Sequence, residues 1–149
     1  MGYEIEIVEM QERDTAVFRG HVAHDGIGDF LGLAFRQVMG ALGAAPVVGP
    51  PFARYAMTPD GFDVEAGFPV AGPFPGSGQV EGATLPGGSV ATTIHEGSYA
   101  GLAAAYSAIE EWLAAEGFEP AGDPWETYLD GPEVEAPRTV VSWPCRLRA

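Results

Sequence analysis

The sequence predicts an α+β fold built from a duplicated β-α-β-β unit. About eight mostly antiparallel strands form one sheet with two helices on one face, related by a pseudo-two-fold axis. Three observations predict this. First, the 149 residues carry a weak internal repeat. His24-Asp25-Gly26 matches His95-Glu96-Gly97 at an offset of 71 residues, and Leu31, Phe35, Val38 and Leu42 fall on Leu102, Tyr106, Ile109 and Leu113 at the same offset. Pro51–Tyr55 falls on Pro124–Tyr128 at 73, and Phe68-Pro69-Val70 falls on Trp143-Pro144-Cys145 at 75. Four matches in one order, drifting by two small insertions, argue for two copies of one unit. Second, each repeat holds one stretch of helical periodicity. Third, β-rich stretches bounded by turn signals flank both helical stretches.

Taken in order, an opening strand over Glu4–Glu9 alternates charged and apolar residues. Thr15–Val22 and, in the second copy, Ser89–Ile94 are rich in β-formers. The HDG and HEG turns follow, with Asp25 and Ser98 placed near helix starts. Tyr99, Leu102, Tyr106, Ile109 and Leu113 recur at spacings of three and four, which predicts a helix ending near Gly117. Its first-copy counterpart is predicted to end near Gly43. Two strands follow each helix: Phe52–Met57 and Phe62–Val70 around a Pro59-Asp60-Gly61 turn, then Pro124–Leu129 and Arg138–Arg146. The Gly- and Pro-rich stretch from Gly72 to Gly78 reads as the connector. The chain is expected to be one domain over 1–149, with repeats at about 3–71 and 79–147.

Composition narrows the function classes. The net charge is −14 and no lysine is present, so phosphate backbones and anionic headgroups are repelled and cationic ligands attracted. Direct nucleic-acid binding is not expected. The apolar runs are too short to span a bilayer, so no membrane insertion is expected. The N-terminal stretch MGYEIEIVEM lacks the charged and apolar regions of an export signal, and the single cysteine, Cys145, has no internal partner; a cytoplasmic location follows as an expectation. No CxxC or HExxH spacing exists, and Gly87-Gly88-Ser89 is followed by no lysine, so no metal, phosphate loop or cofactor is expected. His24 and His95 occupy equivalent turn positions and are read as structural.

The chemistry concentrates in Trp125-Glu126-Thr127-Tyr128. On a strand, Glu126 and Tyr128 share one face and Trp125 and Thr127 the other. The first copy carries Ala53 and Tyr55 at the matching positions. A charged strand residue usually faces water. Were Glu126 instead buried, its carboxylate would need a partner, and a lipophilic cation stacked on nearby rings would supply one. Phe35 and Tyr106 on the helices, with Phe68 and Trp143 on the closing strands, are the rings expected near it, and the groove between the helices is the expected place for a ligand.

With HEGSY, GPPFARY, VEAGFPV, LPGGSVATTIHEGSYAGL, PWETYLDGPE and the closing Trp143-Pro144 in view, the sequence resembles the GyrI-like domain family, also called the bacterial transcription-activator effector-binding domain, over almost its whole length. The resemblance implies the duplicated β-α-β-β fold. It also implies a pocket binding hydrophobic cations, in which the glutamate opening an E-x-Y-L segment maps onto Glu126 and a tyrosine of the first repeat onto Tyr55. The aromatic lining maps onto Phe35, Tyr106 and Trp143. The chain carries no DNA-binding domain and so is expected to be a stand-alone member. Members of that kind bind drugs, modulate DNA gyrase, or hydrolyse strained cyclopropane-bearing genotoxins, the last implicating the pocket glutamate and an aromatic hydroxyl. Multidrug binding is the favoured expectation. The alternatives are a hydrolase using Glu126 and Tyr55 and a protein-interaction module.

Overall fold

The computed structural model describes residues 2–131 and 133–149. In chain order its elements are β1 (Glu6–Met10), β2 (Arg13–Val22), α1 (Ile27–Ala41), β3 (Phe52–Thr58), β4 (Gly61–Pro69), β5 (Glu81–Leu85), β6 (Gly88–Glu96), α2 (Leu102–Glu116), β7 (Phe118–Pro120), β8 (Trp125–Tyr128) and β9 (Arg138–Leu147). All strand pairings described below are antiparallel. This is the α+β, twice-repeated architecture that the sequence predicts. The chain divides into two compact units: Glu12–Pro86, and Gly87–Ala149 together with the segment ending at Gln11.

In the Glu12–Pro86 unit the strand order is β3-β4-β2-β5, with Val17 opposite Gly67, Tyr55 opposite Val64 and Thr15 opposite Ala83. Helix α1 lies against β2 and β4. Its inward face buries Ala34 and Val38, and Val38 joins Ala16, Leu42, Val70 and Val80 in one apolar cluster. Burying one such aliphatic side chain contributes roughly 1.5–3 kcal/mol. Gly67 is required by the close approach of β2, because a Cβ there would overlap the Ala16 carbonyl oxygen.

In the other unit the order is β1-β6-β9-β8, and β7 pairs with the far end of β9. Helix α2 lies against β6, β7 and β9. Leu102, Ala105, Ile109 and Leu113 fall on one helical stripe and pack with Ala91, Val141 and Cys145. Tyr3, Ile5 and Ile7 close over the same cluster. Gly117 takes φ 84° and ends α2 where the periodicity stops.

The structure differs from the sequence reading at several elements. Two short strands, β5 and β7, are additional. The opening strand β1 begins the first copy in the chain but pairs with β6 of the second, Val8 opposite Val90. Correspondingly, β5 begins the second copy but pairs with β2 of the first. Asp25 lies just ahead of α1 as read, and the N-cap itself is Gly26 with no side-chain hydrogen bond. Ser98 does cap its turn: its Oγ accepts from the Ala100 N–H and opens a 3-10 turn, Tyr99–Gly101, ahead of α2. Among the described residues no helix is long and apolar enough to cross a membrane, and no cluster of three or more His, Cys, Asp or Glu could hold a metal ion.

Candidate functional site

Strand β8 runs beside β9 with Glu126 directly opposite Val141. Register places both on one face, and Val141 belongs to the core cluster beneath α2. Glu126 therefore sits at the border of an apolar core, only 8% exposed. Trp125, on the opposite face of β8, is fully buried. A slip of one residue would exchange the two side chains, so burial on both faces pins the register.

The Glu126 carboxylate is satisfied entirely by phenols. The Tyr106 hydroxyl, from α2, donates to Oε2 at 2.6 Å. The Tyr128 hydroxyl, two residues along the same strand face, donates to Oε1 at 2.8 Å. Among the described residues Glu126 makes no ion pair. The arginines of this unit are engaged elsewhere: Arg138 with Asp130, Arg146 with Glu119, and Arg148 with the Phe118 carbonyl. Burial pushes the Glu126 carboxyl above the usual carboxylate range. The two phenol hydrogen bonds and the positive charge that His95 can carry only partly oppose this.

Further rings extend the site. Trp143 meets Tyr106 edge-on at 5.7 Å and 75°, and its indole N–H donates to the Gly122 carbonyl at 3.1 Å. Tyr99, from the 3-10 turn, meets Tyr128 edge-on at 6.0 Å and 69°. Its phenol is pushed up by burial first and then by the negative charges of Glu133, Asp130 and Glu126. His95 is buried and held at both nitrogens, 2.8 Å from the Ser98 carbonyl and 2.8 Å from the Tyr3 hydroxyl. A carbonyl only accepts, so Nε2 carries a proton, and in the neutral ring Nδ1 accepts from Tyr3. This contact ties the N-terminal segment to the turn that presents Tyr99.

Of the six side chains singled out from sequence, Glu126, Tyr106 and Trp143 come together in this unit. Phe35, Phe68 and Tyr55 lie in the Glu12–Pro86 unit. There Phe35 meets Phe68 at 5.8 Å and 61°, and the buried Tyr55 meets Phe62 at 5.8 Å and 76°. His24 packs edge-on against Phe62 at 5.0 Å, a structural contact. Tyr128, Tyr99 and His95 were not singled out as site residues. The signal for Tyr128 was present, since an i, i+2 pair on a strand shares a face. For Tyr99 the helical stripe with Leu102 and Tyr106 was visible, but the turn that aims its ring was not.

Several solved structures share this fold. The C-terminal domain of EcmrR is 22% identical with a TM-score of 0.85, each chain covered to 99%. In the EcmrR–DNA complex the chain spans 58% of the EcmrR length. A hydrolase from Listeria innocua is 12% identical with a TM-score of 0.73, covering 97% of this chain and 93% of its own. SAV2435, solved bound to tetraphenylphosphonium, is 12% identical with a TM-score of 0.63, covering 98% and 94%. At these identities the likeness is one of fold. No curated protein matches the sequence. Residues 3–143 match the GyrI-like small molecule binding domain family, and the chain belongs to that family.

Proposed function

We propose that this small-molecule binding domain takes hydrophobic organic cations at Glu126, with the rings of Tyr106, Tyr128, Tyr99 and Trp143 supplying the apolar contact. One observation carries the reading: a carboxylate 8% exposed, hydrogen-bonded only by two phenols and without a cationic partner among the described residues. A buried charge of this kind is costly until a counter-charge arrives. A lipophilic cation brings that charge with little desolvation cost of its own. Each ring face it meets adds about 0.5–2 kcal/mol. The net charge of −14 draws cations toward the protein. A fold neighbour bound to tetraphenylphosphonium is consistent with a ligand of this class. We place the activity in the cytoplasm, a reducing compartment that suits the free, buried thiol of Cys145.

Titration with tetraphenylphosphonium, followed by calorimetry or by quenching of Trp143, tests the reading. Micromolar binding is expected, with weaker binding of neutral triphenylphosphine oxide and weaker still of anionic tetraphenylborate. Equal affinity for the three would refute the electrostatic part. A second reading, hydrolysis of an electrophilic small molecule, draws on the raised pKa of Glu126 between two phenols, an arrangement suited to proton transfer. Product analysis with a cyclopropane-bearing substrate separates the two: a binder returns the substrate unchanged.

A further inference from the structure

We propose that Glu126 exchanges a proton for its cation, so that each cation bound releases up to one proton to solvent. This rests on the reading that cations bind at Glu126, and it adds a coupling that the reading alone does not require.

The argument begins with what faces the carboxyl group in its own unit. From α2 comes the Tyr106 hydroxyl, from β8 the Tyr128 hydroxyl, and beyond Tyr128 the phenol of Tyr99. From β9 the residue directly opposite is the uncharged Val141. From β6 comes His95, whose charge is felt at Glu126 but whose nitrogens are bonded to Tyr3 and Ser98. Besides Glu126, the negative charges felt at the Tyr99 phenol are Glu133 and Asp130, the latter paired with Arg138. Among the described residues, the arginines of the unit are all engaged outside the site. Ionised Glu126 is thus a negative charge with two phenol donors but no counter-ion among the described residues, and the same group holding its proton is neutral.

The same two phenols can hydrogen-bond either form. A phenol hydroxyl both donates and accepts. With the carboxylate, both hydroxyls donate. With the carboxylic acid, one hydroxyl turns to accept the acid proton and the other continues to donate. When a cation enters, the carboxyl O–H bond breaks, its electron pair stays on the carboxylate, and the proton passes to buffer. The site is neutral before and after, which avoids burying net charge in either state. The upward displacement of the Glu126 carboxyl by burial is in line with this.

The coupling has a definite sign. Cation affinity is full at pH values above the raised pKa. Below it, affinity falls by up to about tenfold per pH unit, because the cation must first displace the proton. A neutral ligand shows no such slope.

The experiment is calorimetry of tetraphenylphosphonium binding to the full chain from about pH 5 to pH 8, in buffers of different ionisation enthalpy, which counts protons released. Proton release rising toward the acid end, together with a matching fall in affinity, is expected. Glu126→Gln is expected to bind more weakly, with pH-independent affinity and no release. His95→Gln is expected to keep the release. Tyr106→Phe, which keeps the carboxyl group but removes one donor, is expected to move the affinity midpoint to higher pH, and it serves as a second test if Glu126→Gln folds poorly. Weakened binding in Glu126→Gln with no proton release by the parent protein overturns the exchange and leaves the cation reading intact. Release that survives in Glu126→Gln and vanishes in His95→Gln also overturns it, by assigning the proton to His95. An unmoved midpoint in Tyr106→Phe does the same. No binding, or equal binding by Glu126→Gln, overturns both.

Discussion

The two copies of the repeat use the same ring pair for different ends. In the first, Phe35 on α1 meets Phe68 on β4 at 5.8 Å and 61°. In the second, Tyr106 on α2 meets Trp143 on β9 at 5.7 Å and 75°. The aromatic contact is conserved by the duplication, but the chemistry is not. Where the second copy has Glu126 the first has the fully buried Ala53, and where the second has a Tyr106 hydroxyl the first has the bare ring of Phe35. The helix hydroxyl is lost together with the carboxylate, whereas Tyr55, the counterpart of Tyr128, keeps its hydroxyl. A buried carboxylate is tolerated only with its hydrogen-bond partners, so the polar site is a set and not a single residue.

The largest effect expected comes from breaking that rule. Ala53→Glu places a carboxylate at a fully buried position whose matching helix residue, Phe35, offers no hydroxyl. It should destabilise the protein by about 3–5 kcal/mol in denaturant unfolding, from an uncompensated charge and overpacking together. Adding Phe35→Tyr should recover about 0.5–1.5 kcal/mol. If Ala53→Glu were as stable as the parent, the first copy would hold a buried carboxylate without a helix donor and the comparison would fail.

Next in size is Glu126→Gln, which keeps shape and hydrogen-bonding capacity. Tetraphenylphosphonium affinity should fall by roughly 1–3 kcal/mol, about 5- to 150-fold. Unchanged affinity would place the glutamate outside the ligand site.

The same substitution should change stability in the opposite sense. Burial raises the folded-state pKa of Glu126 above its unfolded value. The folded protein therefore binds the proton more tightly, and this stabilisation is present at low pH and lost as pH rises through the folded pKa. The cost is about 1.4 kcal/mol for each unit of displacement. Ligand-free Glu126→Gln should thus melt higher than the parent at neutral pH, by about 2–4 °C per kcal/mol relieved, with the gap closing in acid. A parent protein that gains stability on going from mild acid to neutral pH relative to Glu126→Gln would contradict the sign.

The smallest effect expected is that of Tyr55→Phe in the first copy. The ring stays against Phe62 and only the hydroxyl is lost. Cation affinity should change by less than Glu126→Gln changes it, on the order of a few-fold at most. A loss equal to that of Glu126→Gln would show that the comparison gives the first copy too small a part.

Much of the fold was legible before any coordinates. Helix α2 runs where Leu102, Ile109 and Leu113 repeat, because a core-facing stripe must return every three or four residues. The β-rich segments of each copy became strands with ends within a few residues of those read. Glu126 and Tyr128 share a face, as strand alternation demands. The elements that escaped have weak local signals. β5, Glu-Gly-Ala-Thr-Leu, has one buried side chain and owes its conformation to pairing with β2, and β7 is three residues ending in proline.

What the sequence determined by itself was therefore the duplication, the order of its elements and the residue types facing the core: information of short range, repeated in the chain. Only the tertiary structure decided that β1 pairs with β6 and not within the first copy, that Glu126 is buried, and that Tyr106 and Tyr128 take one carboxylate oxygen each. The Tyr106 partnership spans 20 residues, and that of Tyr3 with His95 spans 92. Backbone periodicity says which way a side chain points, but the choice of partner is made by packing, where an unpaired charge or donor in an apolar interior costs more than any local preference.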